Sequence, residues 1–379
     1  MAAAFAQELI MRPKVPSRAP LQAGHGAVWL YPGLLIAVSL HFAIAYTTAT
    51  IFPQNIGDYI AGHGLLPFQY RALAAWILRL ILHLPLAALC AHLPPPVSDP
   101  NRMAVLILAF FCQMGIIEIT RRTLREYLDD RFWCGVLAFS VAWGCYFSYA
   151  VLASIWRVAM PYDLLVAFLA SLSLLFAVRN QIIPFLAVFA CASLAKETAV
   201  ISLIIFMCYR NRGVLEMVRR DWLILAAAAV LWISAKVVLY RLYGHNPAHV
   251  DSPDWLNARL GLLEVQSHLG GAFMFELGPN LRNIINPVYW AGLASSVGWL
   301  WIVVVFGWKY LPVAPLRRAI LIATPTYLGV MMLVGRITEV RIFGELLPLF
   351  SVAASIILYG FLRATFGALP PEIEGIRAE

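Results

Sequence analysis

The sequence predicts an all-α polytopic membrane protein, and three observations lead there. Hydrophobic residues make up 61% of the 379 and charged residues 13%, against about 45–50% and about 25% in soluble domains. The mean hydropathy is +0.78. The apolar residues fall in runs long enough to cross about 30 Å of hydrocarbon, with short basic segments between them. This composition excludes a disordered chain and argues against a soluble one. The net charge of +8, from 28 Lys+Arg against 20 Asp+Glu, would point to nucleic acid in a soluble protein. Here the cations lie between apolar runs, where cytoplasmic retention explains them, so no nucleic-acid partner is expected. Cys90, Cys112, Cys134, Cys145, Cys191 and Cys208 make no C-x-x-C pair, so they read as small apolar filler rather than a zinc site or a disulfide framework.

Residues 1–26 carry Arg12, Lys14 and Arg18 with no small-residue cleavage site after a short apolar core, which reads as a cytoplasmic tail without a cleaved signal peptide. The first span is expected at 27–52. An outer loop, 53–101, follows. It holds a polar, Gly-rich stretch from Pro53 to Tyr70, then Arg71–Leu93, then Pro94-Pro95-Pro96. Arg71–Leu93 is long enough to span, but it carries Arg79 and His83 near its middle. Placed on the membrane surface as an amphipathic helix, it puts three basic groups on the cytoplasmic side together: Arg121, Arg122, Arg125 and Arg131; Arg210, Arg212, Arg219 and Arg220; and Lys309, Arg317 and Arg318. A tilted spanning helix is the alternative.

The remaining spans are expected at 103–119, 132–152, 162–178, 183–195, 198–209, 222–243, 288–308, 319–335 and 344–363, about ten with the first. The pair 183–195 and 198–209 is short for the bilayer, with Lys196-Glu197 at the junction. Two short helices meeting at depth are expected, since irregular backbone is tolerated there where it faces protein. A second outer loop, 244–287, contains His245, His249, Asp251, Asp254, Arg259, Glu264, His268, Glu276 and Arg282. Its histidines lack metal-ligand spacing. Residues 27–365 thus form one transmembrane domain, and 366–379 a second cytoplasmic tail. Trp156, Tyr243, Trp290 and Trp308 read as interface-belt residues.

With this orientation, charges from distant segments collect at the outer ends of spans: Asp58, Arg71, Arg157, Asp163, Lys196, Glu197, Arg336, Glu339, Arg341 and Glu345. Ionisable groups at membrane depth are costly and mark function by default. Arg and Lys in a semi-dry cleft suit a phosphate, which Arg grips bidentately. A carboxylate beside them can take a proton from a hydroxyl. A lipid phosphate is the natural anion, because its tail can remain in the bilayer.

Four segments resemble the GT-C superfamily of integral-membrane glycosyltransferases. Asp58 and the following Pro67-Phe68-Gln69-Tyr70-Arg71-Ala72-Leu73 look like the family's first-loop acid and the Tyr-Arg-x-Leu start of its surface helix. Pro161-Tyr162-Asp163-Leu164 opens a span. Ser193-Leu194-Ala195-Lys196-Glu197-Thr198-Ala199 is similar to the Lys-Glu or Lys-Gly break between two short helices. Glu339-Val340-Arg341-Ile342-Phe343-Gly344-Glu345-Leu346-Leu347-Pro348 is similar to the late Arg-rich outer turn. The resemblance implies a polyprenyl-phosphate-linked sugar as donor, a glycan, lipid or protein acceptor, and inversion at the anomeric carbon. It implies Asp58 as the catalytic base, and Tyr70, Arg71, Asp163, Lys196, Glu197, Arg336, Glu339 and Arg341 as substrate-binding residues. A monophosphate donor does not require a divalent metal or other cofactor. Many members carry paired acids where Asp58 stands between Gly57 and Tyr59, which makes a metal in that loop less expected. The setting it implies is a bacterial inner membrane, surrounded by membrane lipids, with both termini cytoplasmic and the site on the outer face.

Other readings stand beside these. Asp58 can cap a helix. Arg71 can anchor at headgroups. Lys196 and Glu197 can pair with each other or with Asp163 to stitch helices together. A transporter or lipid flippase is the alternative function, kept open by Lys196 and Lys236, although no internal repeat is present. A noncatalytic membrane subunit of the same fold is another.

Overall fold

The computed structural model describes residues 25–49, 55–86, 90–93, 97–150, 160–211, 216–247 and 275–366. Arg157, Trp156 and the loop residues His249, Asp251, Asp254, Arg259, Glu264 and His268 lie outside the described residues, as do residues 1–24 and 367–379 of the tails. The described chain is helical, with no strand. Among the described residues six helices are long and apolar enough to cross a membrane, and a seventh crossing arises if one bent pair counts as a single span. The protein is an integral membrane protein built from helices, the architecture that satisfies every backbone group internally.

The helices are α1 (His25–Ala49), α2 (Ile56–Ala61), α3 (Ala72–Leu82), α4 (Pro100–Leu124), α5 (Arg131–Ala138), α6 (Ser140–Cys145), α7 (Asp163–Val178), α8 (Ile182–Ala195), α9 (Val200–Arg210), α10 (Arg219–Tyr243), α11 (Leu277–Ile285), α12 (Trp290–Ala294), α13 (Leu300–Phe306), α14 (Ala314–Val334) and α15 (Leu347–Phe366). Side chains start several of them. Asp99 accepts from Asn101 N, with Pro100 at the first helical position of α4. Asp130 accepts from Phe132 N and Trp133 N to open α5. Asn55 accepts from Gly57 N to open α2, so Asp58 is not the cap of that helix.

α1 and α7 both pack on α4, and α15 closes the same core. Small residues let the backbones approach: Ala104 and Ala109 of α4, Ala167 of α7, and Ala353 and Ala354 of α15 are essentially fully buried. The chain directions define two ends of the bundle. Tyr31, Glu118, Arg121, Glu126, Arg179, Arg210 and Asp221 share the lower end through direct contacts. Arg318 joins them by donating to Cys208 O at 3.1 Å, and Arg317 donates to Trp308 O at 3.0 Å. Members of all three basic groups seen in the sequence therefore gather at one end.

Of the elements expected, one is too short to cross and another is bent. Within Arg71–Leu93 the described helix next to Arg71 is Ala72–Leu82, about 16 Å of rise and by itself too short to cross. Its Ala72, Ala74, Ala75 and Leu78 are buried, while Arg79 and His83 are exposed. The span expected at 288–308 is bent by 61° between Pro287–Ala294 and Ser296–Phe306. Val297, Gly298 and Trp299 all have positive φ there. Gly298 lies so close to α6 that a Cβ would stand 2.8 Å from Gly144 Cα. Trp143 Nε1 donates to Gly298 O at 3.0 Å, fixing the bend against α6.

The reversal between α8 and α9 positions the site. Lys196 is in extended backbone, which ends α8. The far ends of the two helices meet, because Arg210 Nη1 donates to Asn180 Oδ1 at 2.8 Å. The chain thus turns back at Lys196-Glu197. Trp232, about 20 Å above the start of α10, donates to Glu197 O at 3.1 Å. The turn consequently lies about 16 Å below the upper end of α10 at Tyr243. Residues 55–82 fill this recess. Trp76 Nε1 donates to the Tyr243 hydroxyl at 3.1 Å, and Asn246 Nδ2 donates to Gly62 O and Gly64 O at 2.9 Å each. Tyr243 is therefore buried rather than an interface-belt residue.

Candidate functional site

Arg71 stands between the 3-10 turn Phe68–Tyr70 and α3, and it points down into the recess. Its Nε meets Glu197 Oε2 at 3.2 Å. Its Nη1 donates to the Tyr162 hydroxyl in a short hydrogen bond, and its guanidinium lies 4.8 Å from the Tyr162 ring centroid. The Tyr59 hydroxyl donates to Arg71 O, so α2 is tied to the same point. Burial opposes the Arg71 charge, but Glu197 and then Tyr162 outweigh it and hold the guanidinium above its ordinary pKa.

Asp163 opens α7 and is 3% exposed. Its Oδ2 accepts from Met160 N at 3.0 Å and meets Arg341 Nη1 at 3.1 Å. Arg341 comes from the 3-10 turn Val340–Glu345 between α14 and α15, and its Nη2 pairs closely with Glu339. Burial works against the Arg341 charge; Asp163 and Glu339 overcome it and raise its pKa well above the ordinary arginine value. Tyr162 interacts with both Arg71 and Arg341 and joins the two halves.

Lys196 meets Glu345 Oε1 at 2.6 Å. The same oxygen accepts from Thr198 Oγ1 at 2.5 Å and from the Tyr327 hydroxyl at 3.2 Å. Tyr149 lies within electrostatic range of Glu345 and Asp163. One network thus runs through Glu197, Arg71, Tyr162, Arg341 and Asp163, with Lys196 and Glu345 beside it, built from four segments spread between residues 71 and 345. Ion pairs this buried and this well hydrogen-bonded hold their partners in one geometry.

The structure brings Arg71, Asp163, Lys196, Glu197, Glu339 and Arg341 together. Lys196 and Glu197 do not pair with each other; Lys196 reaches Glu345 and Glu197 reaches Arg71. Tyr70 is not part of the network. The next residue after Tyr70 turns the other way, so the Tyr70 ring stacks on Tyr240 of α10 at 6.4 Å. Arg336, half-exposed, pairs with Glu276 at 2.8 Å, away from the network's ion pairs. Asp58 is exposed, and among the described residues its carboxylate makes no ion pair. It lies one residue before Tyr59, whose ring is 6.3 Å from that of Tyr162.

The cations are matched by acids, since Arg71, Lys196 and Arg341 each hold a carboxylate. A phosphate entering this network would have to exchange with a carboxylate or take the unused donors. Arg341 Nε is buried without a hydrogen-bond partner among the described residues, as is the acceptor Glu197 Oε1. Among the described residues no three His, Cys, Asp or Glu side chains converge as a metal site would need. Sequence reasoning missed Tyr59, Tyr149, Tyr162, Thr198 and Tyr327 as site residues. Tyrosine in an apolar run reads as core or belt, so only its pairing in space reveals it.

The chain matches no family model, no curated protein and no solved structure.

Proposed function

We propose that the protein is an inverting glycosyltransferase of the GT-C type that moves a sugar from a polyprenyl-phosphate carrier to an acceptor hydroxyl. One observation carries this reading. The segments that resemble the family, namely Tyr70-Arg71, Tyr162-Asp163, Lys196-Glu197 and Glu339 to Glu345, each contribute a charged or hydroxyl-bearing side chain to a single buried network. A random scatter of interfacial charges has no reason to converge in this way.

The fold is read as ten crossings when α7, α8, α9 and the bent pair are counted with the six long helices. Arginines and lysines at the lower end support a cytoplasmic assignment for that end under the positive-inside rule. The network then opens toward the extracytoplasmic side of a membrane, such as a bacterial inner membrane.

In the proposed reaction Asp58 takes the proton of the acceptor hydroxyl as its oxygen attacks the anomeric carbon. The bond from that carbon to the phosphate oxygen breaks, and polyprenyl phosphate leaves with the electron pair. Lys196 and Arg341 stabilise the charge that builds on the phosphate. Arg71 holds the donor head. Asp163, Glu197, Glu339 and Glu345 keep these cations aimed before the donor arrives, so little reorganisation is needed during reaction.

The test is transfer by the purified chain in liposomes, supplied with a panel of polyprenyl-monophosphate sugars and scored by release of polyprenyl phosphate. Wild type is expected to turn over at least one donor. Asp58→Asn is expected to lower the rate about 10²–10⁴-fold, the range of a general base. Full activity in Asp58→Asn removes Asp58 as the base. Absence of turnover together with absence of polyprenyl-phosphate binding defeats the whole reading. The close pairing of every cation in the network favours one rival, a noncatalytic subunit in which the pairs only clamp helices. That rival predicts normal folding-dependent assembly and no donor turnover.

A further inference from the structure

Trp232 and Lys236 stand one turn apart on α10, and both reach the reversal between α8 and α9. Lys236 Nζ donates to Ser193 O at 2.8 Å. Had α8 continued, that carbonyl would have bonded to the N–H four residues on; the extended Lys196 removes the bond. Lys236 thus satisfies a carbonyl freed at membrane depth. This uses one of its three ammonium hydrogens. The Trp232 ring centroid lies 5.9 Å from Nζ. Glu197 acts on Lys236 electrostatically, yet Glu197 makes its ion pair with Arg71. Among the described residues Lys236 has no carboxylate at ion-pair distance, whereas Arg71, Lys196 and Arg341 each have one.

Its surroundings are the second observation. α10 is the least enclosed of the long helices, and Ile233, Val237 and Tyr240 around Lys236 are exposed and apolar in body. Lys236 lies about 10 Å below the upper end of α10. Lys236 is part-buried, between the paired cations of the network and the exposed apolar face of α10. A neutral donor would cap Ser193 O as well. An ammonium at that depth is costly unless an anion comes to it.

We infer that Lys236 is a lipid-side phosphate contact of the site: it takes a phosphate oxygen of the polyprenyl carrier, whose chain lies along the exposed face of α10. The inference rests on the transferase reading for the identity of the ligand. A phospholipid monophosphate offers the same chemistry, and the experiment separates the two.

The full chain in phosphatidylcholine nanodiscs is titrated with undecaprenyl phosphate, undecaprenol and dioleoyl phosphatidic acid, each followed by native mass spectrometry. Lys236→Gln keeps a neutral donor for Ser193 O; Lys236→Met keeps none; Lys236→Arg keeps the charge. Undecaprenyl phosphate is expected to bind Lys236→Gln and Lys236→Met about tenfold or more weakly, the worth of a hydrogen bond to a charged group. Undecaprenol binding is expected to be unchanged, and Lys236→Arg, which keeps a charge-assisted donor for phosphate, to stay within about threefold of wild type. Unchanged undecaprenyl-phosphate affinity in Lys236→Gln, with a loss of thermal stability confined to Lys236→Met, overturns the inference and leaves Lys236 as a helix cap. Equal binding of phosphatidic acid and equal loss in Lys236→Gln assigns the contact to bilayer phospholipid and overturns the carrier assignment. A wild-type chain that binds undecaprenyl phosphate no better than undecaprenol sinks the transferase reading itself, a result distinct from the first.

Discussion

The two ends of the bundle both carry charge, but they use it differently. At the lower end the pairs are local or exposed. Glu118 binds Arg121 and Arg122 three and four residues on, with the Arg122 side chain 56% exposed. Arg179 and Glu126 are each about one-third exposed at 34% and 35%. Asp221 is the buried exception, and it acts as a cap for α10 as well as a partner for Arg210. At the upper end the pairs link remote segments and exclude solvent. Arg341 and Asp163 are 7% and 3% exposed, and Lys196 and Glu345 are 8% and 6%. Exposed pairs hold little energy because water and salt screen them, and local helix pairs gain only tenths of a kcal/mol. A buried pair gains little over an apolar pair of the same shape, yet breaking it strands a charge. The upper end is thus expensive to alter and not obviously useful for stability. The proposed function would account for that combination, because a site kept for chemistry holds its charges at a cost in stability.

The comparison breaks most easily at Arg341. Arg341→Ala leaves the buried Asp163 and the half-buried Glu339 without their cation, and a loss of about 3–5 kcal/mol in unfolding free energy is expected. Thermal or denaturant unfolding in detergent, followed by tryptophan fluorescence, reads it. Asp163→Asn combined with Arg341→Gln removes both charges and is expected to cost less than the sum of the single changes by about 0.5–3 kcal/mol. Simple additivity would mean that the two side chains do not act as a pair. The upper end would then be no different in kind from the lower.

Much of this division was legible in the sequence. The basic groups at 121–131, 210–220 and 309–318 mark one end because short loops carry the positive-inside signal. Lys196-Glu197 marks a break because two charges inside an apolar stretch need partners. What was not legible is who pairs with whom. Lys196 and Glu197 are adjacent, and their obvious partners are each other; the extended backbone at Lys196 sends one to Glu345 and the other to Arg71. Tyr70 and Arg71 are adjacent as well, and the turn there points one to α10 and the other to α7 and the reversal. Direction at a turn depends on the packed chain, not on residue type. The bend at Val297–Trp299 escaped for the same reason, since only the close approach of α6 makes it necessary.

A smaller effect is expected at Gly344, which carries no charge but shapes the turn that holds Arg341 and Glu345. A Cβ there would collide with the Tyr149 hydroxyl and with the ring carbon that bears it. The ring is rigid and 2% exposed, so it cannot swing aside. Gly344→Ala is expected to cost about 1–3 kcal/mol by overpacking. Adding Tyr149→Phe removes the hydroxyl but leaves the ring, so the double variant is expected to regain only part of the loss in the same unfolding measurement. Wild-type stability in Gly344→Ala would show that the turn has room to move, and the claim of a preset geometry at the upper end would weaken with it.

The smallest effect is expected at the lower end. Arg122 meets Glu118 through Nε at 2.9 Å, but Glu118 is also held by Arg121 through two contacts of 2.7 Å and by the Tyr31 hydroxyl at 3.2 Å. Removing Arg122 therefore strands nothing. Arg122→Ala is expected to change stability by about 0.2–1 kcal/mol, and the difference is expected to shrink when salt is raised from low to molar concentration, where screening lengths fall to about 3 Å. Arg341→Ala measured across the same salt series is expected to keep its full cost, because its partners are enclosed by protein. A salt-insensitive Arg122 paired with a salt-sensitive Arg341 would reverse the assignment of buried and exposed ends, and the network beneath residues 55–82 would have to be open to water.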